Sequence, residues 1–81
     1  MADQELDARG LTCPLPVLKA RKRLMAMRPG EALRVLATDP KAPQDLAHFC
    51  AEAGHRLLAS GEGEGGWVLR IERGQEPSRR P

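Results

Sequence analysis

The stretch GLTCPLPVLKARKRLMAMRPGEALRVLATDP, residues 10–40, changes its hydrophobic period once, and that change decides the fold. Val17, Ala20 or Arg21, Leu24 and Met27 recur at helical spacing, and Leu18 and Met25 widen the stripe. Lys19, Lys22 and Arg23 take the opposite face. Pro14 suits the first helical turn, where a missing N–H costs nothing. Arg28-Pro29-Gly30 stops the helix. Residues 31–38 then alternate, with Leu33, Val35 and Ala37 against Arg34 and Leu36, which predicts a strand ended by Asp39-Pro40.

Working outward, Leu6 to Ala8 read as a short strand running into a turn at Gly10. A second helix is predicted from about Pro43 through Leu46, Ala47, Phe49, Cys50 and Ala53, with Gly54 as its C-terminal cap. HRLLAS (55–60) and WVLRIER (67–73) read as two more strands, joined as a hairpin by the glycine-rich loop GEGEGG (61–66). The order is β-α-β-α-β-β. Right-handed crossovers in so short a chain put both helices on one face of one sheet. The expected fold is therefore α/β (α+β): a two-layer βαβαββ sandwich, with a four-stranded mixed sheet and two helices. The other sheet face is left exposed or open to a partner. Residues 1–73 form one domain, and the polar, proline-containing tail 74–81 is predicted to be disordered.

Eighty-one residues allow one small domain. Phe49 and Trp67 are its aromatic residues, so the core must come from Leu, Val, Ala and Met. A net charge of +2 with a pI near 8.8 does not by itself imply nucleic acid. No apolar run approaches the ~20 residues of a membrane span, and the acidic start MADQELDARG has no leader-like apolar segment. Two cysteines are fewer than a secreted scaffold of this size carries. A cytoplasmic monomer with free thiols is expected.

Cys13 stands at or just before the start of the first helix. Free N–H groups and the positive end of the helix dipole stabilise a thiolate there, and can lower a thiol from its ordinary pKa of ~8.5. Arg9 and Lys19 are candidates to add positive charge. Pro14 and Pro16 stiffen the turn, so the sulfur is presented in a fixed direction. The plain alternative is a thiol filling a small buried site. Cys50 lies in the apolar stripe of the second helix, which makes it a packing residue, with a resolving thiol as the sharper reading. Cys13, Cys50, His48 and His55 could supply metal ligands, but their spacing fits no structural zinc site. No metal is expected, and His48 and His55 read as surface residues. Asp39 reads as a turn residue leading into the second helix; orienting the loop near Cys13 or assisting proton transfer is the alternative.

Three segments together carry a resemblance: LDARGLTCPLPV (6–17), MRPGEALRVLATDP (27–40) and DLAHFCAEAGHRL (45–57). The chain resembles the TusA-like (SirA-like) sulfur-carrier family, whose signature is Cys-Pro-x-Pro at the start of the first helix, over about residues 5–73. The resemblance implies the same βαβαββ sandwich. It implies a sulfurtransferase that holds sulfane sulfur as a persulfide on Cys13, with Arg9, Gly10, Pro14, Pro16 and Asp39 as motif and support residues. The sulfur would come from a cysteine desulfurase or a rhodanese-like donor. It would pass to acceptor proteins serving tRNA thiolation, cofactor biosynthesis or sulfur oxidation. No cofactor is implied beyond the covalent sulfur itself. The competing class is a thiol redox sensor or a non-catalytic protein- or RNA-binding module. The basic face at Lys19, Lys22 and Arg23 reads as a docking patch for acidic partner surfaces or as a solvated face. No aromatic residue interleaves its charges, so direct nucleic-acid binding is not expected.

Overall fold

A computed structural model describes residues 3–74; the predicted tail, apart from Gly74, lies outside the described residues. The elements follow in the predicted order: β1 (Gln4–Ala8), α1 (Leu15–Met25), β2 (Ala32–Ala37), α2 (Ala42–Ala53), β3 (Arg56–Gly63) and β4 (Gly66–Glu72). The sheet order is β1-β2-β4-β3. β1 and β2 are parallel, and β4 runs antiparallel to both β2 and β3. The result is the four-stranded mixed sheet of a two-layer α+β sandwich. One apolar cluster joins the layers: Leu6, Leu33, Val35, Leu69 and Ile71 from the sheet meet Ala20, Leu24, Leu46 and Cys50 from the helices.

The buried stripe of α1 is narrower than predicted. Pro16, Ala20, Leu24 and Met27 are buried, whereas Leu18 and Met25 are 50 % and 70 % exposed. Leu18 lies two residues from both Pro16 and Ala20, about 200° round a 3.6-residue turn, and so faces away from the sheet. The basic face is also divided. Lys19 and Lys22 are exposed, but Arg23 is half-buried, and its Nη1 donates to the Glu5 carbonyl at 3.1 Å and to Gln4 Oε1 at 3.4 Å. Arg23 thus ties α1 to β1 and does not stand free for a partner.

The predicted glycine loop is mostly strand. β3 continues to Gly63, leaving a two-residue turn at Glu64 and Gly65 with φ of 54° and 79°. Two consecutive positive φ values suit a tight hairpin, whose twist matches that of the flanking strands. Leu58 is the extra residue of a bulge in β3 and is 41 % exposed. Gly66 sits against the Ala37 carbonyl, where no Cβ fits, so the hairpin end rests on the backbone at the end of β2, just before Asp39. The sheet face away from the helices carries cross-strand ion pairs. Asp3 pairs with Arg70 at 2.6 Å, and Arg34 is shared by Glu5 and Glu64. Leu36 is on that face, as its alternation with Arg34 requires, but it is buried. Exposed pairs of this kind contribute roughly 0–1 kcal/mol each, so they set the character of the face more than they hold the fold.

His55 departs from its expected surface role. It is half-buried beside Phe49, at a ring-centroid distance of 5.5 Å, and its Nδ1 accepts the N–H of Gly74 at 2.9 Å. Gly74 is buried, and Arg73 reaches the Leu24 carbonyl at 2.8 Å, so ordered packing extends to the last described residue. Accepting that bond requires a neutral imidazole. Burial, and then the charge of Arg73, push the His55 pKa below its ordinary 6.5. As pH falls through about 6.5 the unfolded chain binds the proton first. Stability is therefore full above that pH and declines as pH falls toward the lowered folded value. The midpoint of thermal unfolding should drop between about pH 7 and pH 5, and a His55→Asn variant should flatten the profile in that window. An unchanged slope in the variant would remove His55 as the cause.

Candidate functional site

Parallel pairing of β1 and β2 brings their C-terminal ends side by side, and the two following loops meet there. Gly10, at a φ of 84°, turns the chain out of β1 and donates its N–H to Thr38 Oγ1 at 2.9 Å. Three residues on, the Cys13 N–H donates to Asp39 Oδ2 at 2.7 Å. The other oxygen of Asp39 accepts the Lys41 N–H at 3.0 Å, closing the turn into α2. One carboxylate thus shapes the turn into α2 and holds the loop of the thiol. Leu15 N–H donates to the Thr12 carbonyl at 2.8 Å, so Cys13 and Pro14 lie in the turn that becomes α1. Pro14 is exposed at the N-cap, while Pro16 is buried in the first turn. Cys13 is exposed.

The electrostatic surroundings of the sulfur differ from the sequence expectation. Arg9 is held by Asp7 through Nε at 2.8 Å and Nη2 at 2.9 Å, which drives the Asp7 pKa down to about 2. Lys19 lines a separate cleft with Leu6, Lys22, Arg23 and Ala26. The groups facing Cys13 are acidic. Asp45 lines the same cleft, and its carboxylate first, then desolvation and the charge of Asp39, raise the Cys13 pKa above its ordinary value, opposed by Lys41. The resting thiol therefore keeps its proton.

Cys13 lines a cleft of about 350 Å³ between the helices. Pro14, Val17, Leu18 and Phe49 give it an apolar lining, and Arg21, Asp45, His48 and Glu52 supply its polar groups. Sequence reasoning missed Thr38, Arg21 and Asp45. The signal for Asp45 was present: Asp45, His48, Phe49 and Glu52 recur at helical spacing on the face of α2 opposite Leu46 and Cys50. Cys50 lies elsewhere. It is 1 % exposed in the core, and burial raises its pKa to about 11. His48 is on the surface as expected, 3.3 Å from Glu52. Among the described residues, no group of three or more His, Cys, Asp or Glu is arranged to hold a metal ion.

Comparison with known proteins agrees with this geometry. The profile of the family described as sulfurtransferase TusA matches residues 4–73. The chain is 53 % identical over 64 residues to the sulfur carrier protein TusA of Allochromatium vinosum, covering 79 % of this chain and 83 % of that protein. It is 39 % identical over 71 residues to the sulfur carrier protein TusA of Pseudomonas entomophila, covering 88 % and 89 %. The crystal structure of a SirA-like protein from Desulfitobacterium hafniense superposes with a TM-score of 0.75 at 27 % identity, covering 88 % of this chain and 97 % of that one. With its Cys-Pro-x-Pro turn at the head of α1 and the family profile spanning every strand and helix described, the chain belongs to the TusA sulfurtransferase family.

Proposed function

We propose that this protein is a sulfur carrier that accepts sulfane sulfur on Cys13 as a persulfide and relays it from one protein to another. The observation that carries the reading is an exposed thiol that lines an open cleft and whose backbone is anchored through the 2.7 Å bond from the Cys13 N–H to Asp39. A carrier needs its sulfur reachable by two partners in turn and held in a constant direction for both. It is a sulfurtransferase in the sense of protein-to-protein transfer, with no resident cofactor; the cargo is the covalent sulfur. Donors are cysteine desulfurases or rhodanese-like proteins, and acceptors are proteins of tRNA thiolation, cofactor biosynthesis or sulfur oxidation. The protein works as a cytoplasmic monomer without direct nucleic-acid contact. No helix among the described residues is long and apolar enough to cross a membrane. The redox-sensor alternative loses support from Cys50, which is buried in the core and outside the cleft of Cys13.

Incubation with a cysteine desulfurase and cysteine, or with a rhodanese and thiosulfate, should add the mass of one sulfur atom, removable by reductant. If neither donor adds it, the carrier reading is wrong.

The partner surface is the cleft with the neighbouring outer face of α1, where Leu15 and Leu18 are 42 % and 50 % exposed and Lys19 and Lys22 are free of the sheet. Replacing Lys19 and Lys22 together by Gln should change stability by no more than about 0.5 kcal/mol each. It should slow sulfur uptake from a protein donor several-fold at low salt, with the difference shrinking as salt screens the charges. Equal rates at every salt concentration would reduce these lysines to a solvated face.

A further inference from the structure

Lys19 and Lys22 do not line the cleft of Cys13; they line a second cleft, on the other side of α1. We propose that this second cleft takes an acidic, extended segment of a partner protein, which adds to the sheet as a strand beside β1. Such a segment is a second attachment point for the partners of the carrier reading, on which this assignment rests.

β1 is an edge strand, because the sheet order β1-β2-β4-β3 gives it one neighbour, β2. Backbone groups along a strand point to its two sides in alternation. Arg23 Nη1 donates to the Glu5 carbonyl at 3.1 Å, which marks the Glu5 backbone as directed away from β2. The Asp7 backbone, two residues on, points the same way. The N–H groups of Glu5 and Asp7 and the Asp7 carbonyl thus form a short row of the kind that templates another strand. α1 overhangs this edge. It supplies Lys19, Lys22, Arg23 and Ala26 to the cleft, β1 supplies Leu6, and the volume is about 300 Å³. The lysines are exposed, Arg23 is half-buried, and α1 contains no acid of its own.

The two faces of β1 set the sequence of the guest. Leu6 faces the helices, whereas Glu5 and Asp7 lie on the outer face, where Glu5 pairs with Arg34 and Asp7 with Arg9. An added strand alternates in the same way. Its side chains on the helix face meet three cations, and those on the outer face meet two carboxylates. The segment that fits therefore alternates acidic residues with small neutral ones. Other occupants fit less well. Residues 75–81 of this chain hold one glutamate against two arginines, the wrong sign. A second copy, pairing antiparallel through β1, would keep both helix layers on one face and set two basic helices side by side. A nucleic acid would meet the cations but no aromatic residue on which a base stacks, and it has no strand backbone to match the edge.

Amide NMR of the full chain, titrated with a peptide of alternating threonine and glutamate about six residues long, tests this. The peptide should shift the Glu5, Asp7, Lys19 and Lys22 amides saturably and slow hydrogen exchange at Glu5 and Asp7. A threonine–lysine peptide of the same length should do neither. Lys19→Gln with Lys22→Gln should weaken binding about 3- to 10-fold, each exposed ion pair being worth up to about fivefold. Glu5→Pro removes one outward N–H at an edge position that proline tolerates, and should abolish binding. Glu5→Ala keeps that N–H and should bind like wild type. Thermal melts establish that the variants compared are folded. Shifts confined to His48 and Phe49 in the Cys13 cleft would overturn the proposal, as would an equal effect of the lysine peptide or full binding by folded Glu5→Pro. Stronger binding of an oligouridylate of the same length would replace the peptide by nucleic acid. Protection of Glu5 and Asp7 already present in the free protein would also overturn it, assigning the edge to a second copy if it fades on dilution and to the chain's own tail if it persists. None of these readouts uses sulfur, so their failure leaves the carrier reading standing. A protein that binds the peptide but takes up no sulfur would refute the carrier reading alone.

Discussion

The Cys13→Ser protein should take up no sulfur from a desulfurase or a rhodanese, whereas Cys50→Ser should load normally. The two thiols differ above all in access and in how they are held. Cys13 is exposed in a cleft and fixed by a hydrogen bond from its own amide. Cys50 is 1 % exposed, with burial holding its pKa at about 11, so it has neither access nor thiolate. A serine hydroxyl at position 13 keeps the turn and its bond to Asp39 but cannot accept a sulfur atom. At position 50 the effect moves from chemistry to stability. A hydroxyl placed in the apolar cluster costs about 1–2 kcal/mol, against a total of roughly 4–12 kcal/mol expected for a chain of this length. Mass spectrometry of the loaded proteins and their thermal melts measure both effects. Loading of the Cys13→Ser protein, or failure of a folded Cys50→Ser protein to load, would reverse the assignment.

How far the sequence was legible follows from which forces acted locally. Pro14, Pro29, Gly30, Pro43 and Gly54 punctuate the chain through backbone constraints that need no tertiary partner, and the elements fall between them as read. The hairpin was misread because the glycines of 61–66 suggest a loop, whereas pairing with β4 holds them in a strand down to Gly63. Leu18 and Met25 count as apolar in any period analysis, but the helix has room for only one buried row against the sheet. Arg23 resembles Lys19 and Lys22 in sequence and differs only because the β1 backbone passes beneath it. At the site, Cys13 was visible from its place before Pro14, and Asp39 from its place in the turn. Their contact spans 26 residues and depends on the parallel register of β1 and β2. The charge around the sulfur was read with the wrong sign for the same reason. Arg9 is close in sequence but committed to Asp7, while Asp45 is distant in sequence and adjacent in space.

Asp39→Ala should slow sulfur uptake by about 10- to 100-fold, the range expected when a reacting atom is displaced by about 1 Å. One side chain accepts both the Cys13 and the Lys41 amides, so truncating it frees the β1–α1 loop from the β2–α2 loop at the position of the thiol. Gly10 and Thr38 would remain joined, holding the loop three residues away while the sulfur itself loses its fixed direction. Asp39→Asn retains a carbonyl oxygen for one amide and should fall between wild type and the alanine variant. The backbone bonds from Lys41 and Cys13 lower the Asp39 pKa from its ordinary 3.8. Its anchoring is therefore complete above about pH 3.8 and is lost only as pH falls through the lower folded value. Between about pH 5 and 8 the wild-type rate should show no step from Asp39, and the slow rate of the alanine variant should not be rescued by changing pH. The first-order rate of mass gain from a desulfurase, measured with the melting temperature of each variant, decides the matter. A folded Asp39→Ala protein loading within twofold of wild type would mean that the anchor shapes the turn into α2 and does nothing for the sulfur.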